Sequence, residues 1–417
     1  VASQLDIGRA ATSARAATSA RAALPRPYLA WLAGTRASVL GDAAMYFALG
    51  WAASAHGGTM AALVLTAINL PRTVLLLLGG AVGDRFGARR VMIAGDAVML
   101  TAALVLAAAS SHWGTRPWLL VVVAAVIGVV DAFYLPATGS MPRRLVGEEQ
   151  LPRALGMQQA GSQIATLLGA PLGGVLVASA GLPGAALVDA GTFAVVLVVL
   201  LCVKPAFDVE RSSRDESLLA GAADGVRLAV KDPVLRPALL LTAAAAGFLL
   251  PVVSLLNPLL AREHGWGAGA AGLVAAGQGV GMIAVSLAVT RRGAMSRIGV
   301  GAAVGLCVAA LGIAVVAVAP VTGVAVAGGV VVGGGSGLFA CHIGPLVLTS
   351  VPATHLSRVQ ALLTLVQSLA LLVANNALGV LADAGTAVIA AGVCALAVCG
   401  AGVLGLASKP LRGLHRN

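Results

Sequence analysis

GGAVGDRFGARR, residues 79–90, places one acid and three arginines in a short turn between the apolar runs at 60–82 and 91–110. Each run approaches the roughly 20 apolar residues that one bilayer crossing requires. So short a charged turn belongs at a membrane surface, and the two runs read as antiparallel spans joined on one side. Outward from this turn the same alternation continues. It predicts spans at 29–55, 118–140, 154–179 and 183–203 in the first half of the chain. In the second half it predicts 237–260, 269–290, 298–319, 322–349, 357–382 and 385–407. The composition agrees: 59% of the 417 residues are hydrophobic and 10% are charged. A mean hydropathy of +0.96 makes lipid the solvent of this chain. The fold class expected is an all-α membrane protein of twelve helices in two six-helix bundles, at 29–203 and 237–407.

Charge sets the expected topology. Of the 27 Lys and Arg, 23 fall on the side of the 83–90 turn, while Arg116 and Arg262 fall on the other. Cytoplasmic loops retain Lys and Arg, so both termini are expected in the cytoplasm of a bacterial inner membrane. The basic excess comes in small groups between apolar runs, which fits topology and not nucleic-acid binding. Residues 1–28, with the repeat ATSARA at 11–16 and 17–22, read as a cytoplasmic tail, as do 408–417. Residues 204–236, with ten charges within AFDVERSSRDESLLAGAADGVRLAVKD at 206–232, read as a solvated linker. Trp113, Trp118 and Trp266 are expected at the outer interface, with Tyr28 and Trp31 at the inner one. The five cysteines all lie in apolar runs, and no disulfide, metal or cofactor is indicated.

Several phrases resemble the major facilitator superfamily, and the resemblance covers nearly the whole chain. Gly80, Asp84, Arg85, Gly87 and Arg89 match its loop signature G-x-x-x-D-R-x-G-R-R, with Ala88 where a basic residue is usual. The resemblance implies that the loop acid caps a helix of the opposite half, while the arginines pair with acids near the fourth span and latch one state. GAPLGG, with Gly169, Pro171, Gly173 and Gly174, resembles the antiporter signature G-P-x-x-G-G with its proline one place later. LGDAAMYFALGW at 40–51, PATGSMPRRLVGEEQLPRAL at 136–155 and VDAGTF at 188–193 resemble the twelve-span drug and siderophore exporters, including macrolide-efflux and enterobactin-export proteins.

A charge at the centre of a span costs about 2.5–3.5 kcal/mol on insertion scales, so each one is a candidate functional group. Asp42 in the first span and Arg72 in the second lie at matched depth and are expected to pair. Asp42, Met45, Tyr46 and Leu49 share a helical face that is placed on the central cavity. Asp131, in the fourth span, is either the partner of Arg89 or a rival coupling acid. Gln163, Gln278, His342 and Gln367 lie at comparable depth, drawn from both halves as an alternating-access site requires. Asp189 and Asp383 are read nearer the outer ends, where water reaches them. Glycine clusters at 277–281 and 328–337 allow close helix packing, sliding, or both.

No Walker-type phosphate loop occurs, so ATP is not bound by that route. The expected function is a monomeric secondary transporter, not an enzyme, exporting a small amphipathic molecule with protons as the coupling ion. The alternatives are uptake or facilitated diffusion on the same fold, and then a polytopic enzyme or a channel. An enzyme would need nucleophiles, bases or metal ligands gathered at one depth, and the histidines are scattered.

Overall fold

The computed structural model describes residues 23–204, 207, 235–350 and 356–412, apart from some side chains within them, those of Gly80 and Asp84 included. The first half holds α1 (Arg26–Ser54), α2 (Gly58–Phe86), α3 (Ala88–Trp113) and α4 (Pro117–Leu145). One long helical stretch, Leu151–Cys202, then breaks where Gly181 takes φ 65°. Its two arms are α5 (151–180) and α6 (182–202). The second half holds α7 (Leu235–Glu263), α8 (Ala268–Arg292), α9 (Ile298–Ala317), α10 (Thr322–Ser350), α11 (Leu356–Ala384) and α12 (Ala387–Ala407).

Ten helical segments are long and apolar enough to cross a membrane, the broken stretch counting as one. Splitting it at Gly181 and adding the 29-residue α1, which carries Arg36 and Asp42, is consistent with the twelve helices expected. The helix ends lie within a few residues of the expected span boundaries, because glycine, proline or polar residues punctuate the turns. Gly57, Gly87 and Gly265, for example, take φ of 98°, 88° and 72° between successive spans, a region that residues with a Cβ rarely enter. The helix ends that carry residues 26, 86, 292 and 407 form one surface, here the terminal face. The turns at 55–57, 114–116 and 264–267 form the opposite face.

Each half is built on small-residue seams. Side chains in lipid gain little from the hydrophobic effect, so close backbone approach supplies the packing. In the first half, α1 lies along α5. Tyr28 donates to the Ala154 carbonyl at 2.6 Å, Arg36 donates to the Gln158 carbonyl at 3.1 Å and to Ser162, and a methyl at Gly173 would come within 3.0 Å of Phe47 Cβ. Tyr28 and Trp31 are therefore fully buried in this seam, not displayed at an interface as their position near the end of a span suggested. In the second half, Gly277, Gly281, Gly329 and Gly333 press α8 onto α10, and Gly305, Gly312 and Gly335 press α10 onto α9. The glycine clusters thus serve packing. α7 carries π-helical turns at 245–249 and 252–256 on either side of Pro251, which has no N–H to give to the helix.

The halves meet along α5 with α8 and along α2 with α11. Gly174 is the closest point of the first seam: a methyl there would come within 2.7 Å of the Gly272 Cα. The GAPLGG segment therefore presents Gly169 and Gly173 to α1 and Gly174 to the other half. Both seams draw together toward the opposite face.

Candidate functional site

Between the halves lies a cavity of about 610 Å³. Its first-half wall carries Tyr46, Asn69, Arg72 and Thr166, and its second-half wall carries Ser254, Gln278, Ser336, Gln367 and Asn375. Apolar side chains such as Leu65, Leu167 and Leu249 fill the spaces between them, and Phe339 and Tyr46 are the aromatic contributors.

One ion pair anchors the first-half wall. Arg72 of α2 approaches Asp131 of α4 at 3.8 Å, and the Tyr46 hydroxyl of α1 donates to the same carboxylate at 2.7 Å. Glycines explain the meeting. A methyl at Gly128 of α4 would overlap the Ile68 carbonyl, and one at Gly79 of α2 would overlap the Ala132 carbonyl, so the two backbones touch on either side of the pair. The Arg72 side chain, which lines the cavity, is 42% exposed and that of Asp131 is 17% exposed, so the pair is not sealed.

Asp42 does not pair with Arg72. Matched depth identified the level correctly but not the neighbour: α2 packs extensively on α4, and one helical turn along α1 from Asp42 it is Tyr46 that reaches this centre. The charged groups around Asp42 are carboxylates, those of Asp189, Asp131 and Asp96. Met45 and Leu49, assigned to the cavity face with it, are buried in the core. Asp131 is likewise not the partner of Arg89. That guanidinium donates to the carbonyls of Leu200 and Val203 at 2.9 Å and of Leu201 at 3.1 Å, closing the C-terminal end of α6. Asp189, read as water-accessible, is only 2% exposed, because α6 turns it inward toward Gly41 of α1.

Of the polar residues chosen by depth, Gln278 and Gln367 line the cavity, whereas Gln163 is exposed on α5 and does not. His342 is fully buried between α9 and α10. Its Nδ1 lies 2.7 Å from the Leu338 carbonyl, which can only accept, and its Nε2 receives the Met295 N–H at 3.0 Å. Both ring nitrogens are thereby used, which leaves none for a ligand. Asn375 was not singled out from the sequence. Its Oδ1 and the Gln278 Oε1 are buried at the cavity wall without a hydrogen-bond partner. Unsatisfied buried acceptors are costly, so a donor reaching them gains more than an ordinary bond would give.

Of the loop signature, Gly87 ends α2 and starts α3, and Arg85 stacks over the Phe86 ring at 5.6 Å. The side chain of Asp84, on which the capping expectation rests, lies outside the described ones, as does the position of Gly80 against its neighbours. A comparable cap is present on the opposite face. Asp383, at the end of α11, receives the N–H groups of Gly58 at 2.5 Å and Thr59 at 2.8 Å, the first residues of α2. Deeper on the same seam Asn376 donates to Thr66 at 2.8 Å. On the neighbouring seam, Arg262 of α7 donates to Ser54 at 2.7 Å and to the Trp51 carbonyl at 2.8 Å, with its guanidinium 4.2 Å from the Trp51 ring centroid. For Asp383 and Arg262 the sequence offered only a charge near a span end, and Asn376 was not singled out.

The model of the Major Facilitator Superfamily matches residues 32–375. The chain belongs to that superfamily. Two curated relatives bear the name multidrug efflux pump Tap. The one from Mycolicibacterium fortuitum is 28% identical over 52% of this chain and 56% of its own length. The one from Mycobacterium tuberculosis H37Rv is 27% identical over 64% of this chain and 67% of its own. Macrolide efflux protein A of Enterococcus faecalis is 24% identical over 49% and 64%. The chain thus spans about half to two thirds of the length of these relatives. Among solved structures, nucleoside transporter NupG superposes with a TM-score of 0.73 at 13% identity, over 92% of this chain and 99% of that one. A bacterial homologue of the iron transporter ferroportin, in an inward-facing state, gives 0.70 at 18% identity over 93% and 99%. These likenesses show the fold, and membership of the superfamily places the chain among multi-pass membrane transporters and not among enzymes.

Proposed function

We propose that this chain is a proton-coupled antiporter that exports a small amphipathic molecule by alternating access. The observation that carries the reading is the Tyr46–Asp131–Arg72 centre on the wall of a cavity shared by both halves. An acid held by one hydroxyl and one loosely placed guanidinium can exchange partners during a cycle, and a ligand in the cavity lies beside it. Asp42 joins Asp131 as a candidate for coupling, because no described cation neutralises it. The efflux relatives support the direction of transport. Across the cavity, Gln278, Gln367 and Asn375 offer neutral amides for recognition.

The distribution of Lys and Arg supports a terminal face on the cytoplasmic side of a bacterial inner membrane, together with both tails and the linker at 204–236. The contacts of Asp383, Asn376 and Arg262 then close the outer side, and the cavity serves the cytoplasmic side in this arrangement. The chain acts as a monomer in this reading, since each half completes the cavity of the other.

Transport into inverted vesicles tests the function. A labelled macrolide should accumulate when an inward-acid gradient is imposed and should stop accumulating in Asp131→Asn. Equal accumulation with the gradient collapsed would show facilitated diffusion. Movement down the opposite proton gradient would show uptake.

A further inference from the structure

A second feature lies on the outside of the first half, away from the cavity. α3 and α4 diverge along their membrane-facing side and leave a trough in two sections that share Val98. The section nearer the terminal face has a volume of about 490 Å³ and is lined by Phe86, Arg90, Ala94, Gly95, Val98 and Phe133, among others. The section nearer the opposite face, of about 530 Å³, runs past Thr101, Val105 and Val122 to Trp113 and Trp118. The trough exists because α3 is thin here: Ala94, Gly95 and Ala97 carry little or no side chain, and Tyr134 lies against Gly95, where a methyl would meet its ring at 2.9 Å.

From Arg90 to Trp113 the helix rises about 35 Å, close to the bilayer's hydrocarbon core of about 30 Å with part of its interface. The trough therefore crosses both leaflets. Its ends differ in charge. Arg90 is exposed at the terminal-face mouth, and among the described residues its guanidinium has neither a hydrogen bond nor an ion pair. Arg85, also exposed, stands one helix end away over Phe86. No charged side chain lines the other section, and the nearby Arg116 is engaged with the Trp113 carbonyl at 3.1 Å.

We propose that the Arg90 section is a binding site for an anionic phospholipid of the terminal-face leaflet, with its phosphate on Arg90 and an acyl chain along Ala94 to Val98. The occupant follows from complementarity. An apolar trough open to the membrane takes hydrocarbon, and unpaired guanidinium groups at the depth of the headgroups select negative charge. Each such cation near a membrane surface contributes enough for about a fivefold preference.

The test is native mass spectrometry of the purified full-length chain with phosphatidylglycerol and phosphatidylcholine of identical acyl chains. The wild type should retain phosphatidylglycerol about fivefold better. Arg90→Gln should lower this ratio toward one, and Ala94→Trp, which fills the trough from an exposed position, should reduce retention of both lipids. Thr101→Trp, in the uncharged section, should leave the ratio unchanged and so separates a specific effect from a general loss of packing. Equal retention of the two lipids by the wild type, or wild-type retention by Arg90→Gln or Ala94→Trp, would overturn the proposal. So would competition by soluble glycerol phosphate, which would show that the site reads the headgroup without the chain.

Discussion

Replacing Asp383 by Ala should shift the protein away from the arrangement described here without unfolding it. The Gly57 end of α2 has no side-chain cap of its own, and the first N–H groups of any helix lack intrahelical partners. Asp383 accepts from two of them, Gly58 at 2.5 Å and Thr59 at 2.8 Å, from the other half of the molecule. Losing a capping side chain typically costs about 1 kcal/mol, within a range of about 0.5–2. The exposure of Asp383 argues against the upper end of that range. Since the contact joins two halves that must separate on this face when the cavity opens to it, the loss falls on one state and changes the ratio of states about fivefold. Adding Asn376→Ala removes the bond to Thr66 and another 1 kcal/mol or so, for a combined change of about thirtyfold. Spin labels at Ala55 and Ala384, in a background with the five native cysteines replaced, would report the separation by pulsed dipolar spectroscopy. The short-distance population should fall in the single variant and become minor in the double one, at nearly constant melting temperature. An unchanged distance distribution with a lower melting temperature would refute the reasoning, because the cap would then support α2 in every state.

The Arg72 and Asp131 pair is half open to the cavity, so Arg72→Gln or Asp131→Asn should each cost about 1 kcal/mol and not the 3–5 kcal/mol of a sealed pair. The double variant should regain stability to within about 0.5 kcal/mol of additivity-corrected wild type yet fail in gradient-driven export, read by a double-mutant cycle on melting and on vesicle transport. His342→Leu should lower stability by about 1–3 kcal/mol by leaving the Met295 N–H unpaired. The pH profile of transport should keep its shape, and a displaced profile would give His342 a role in coupling. A cysteine at position 266 should react with an impermeant probe from outside the cell, whereas one at position 90 should react only in inverted membranes; the reverse pattern would invert the topology.

The fold was legible because lipid imposes a simple grammar: apolar runs of similar length, glycine, proline or charge at the turns, and arginine mostly on one side. Even the break at Gly181 shows in the sequence, as a short glycine- and proline-bearing interval between two apolar runs. The site was legible only by depth. Counting residues from a span end places Tyr46, Arg72, Asp131, Gln278 and Gln367 near the level of the cavity; four of them line it, and Asp131 is held by Tyr46 and Arg72. Depth does not say which way a side chain points or which helix stands beside it. Arg72 therefore found Asp131 and not Asp42, and His342 closed on Leu338 and Met295. Gln163 lies outside the cavity lining, a helical turn from Thr166 and Leu167, which belong to it. The partners of Arg89 were hidden for another reason: they are backbone carbonyls at a helix end, and carbonyls carry no sequence signal. The same holds for the N–H groups that Asp383 receives.

The polar groups within the spans divide unevenly between the halves, and the division bears on how the cavity could work. Asp42, Asp96, Asp131 and Asp189, with Arg36 and Arg72, all belong to α1–α6. At comparable depth the second half offers amides and a histidine whose nitrogens are both occupied, while its Arg262, Glu263 and Asp383 stand at helix ends on the opposite face. Burying charge in a membrane bundle is expensive, and four carboxyl groups for two guanidinium groups leave an excess that proton binding would relieve. A neutral wall has no such response to a proton and can hold a ligand with the same contacts throughout a cycle. On this division the first half would change its internal pairing with each proton, and the second would provide constant recognition. The seams at Gly174 with Gly272 and at Asp383 with Gly58 would then carry the change in one half into motion relative to the other.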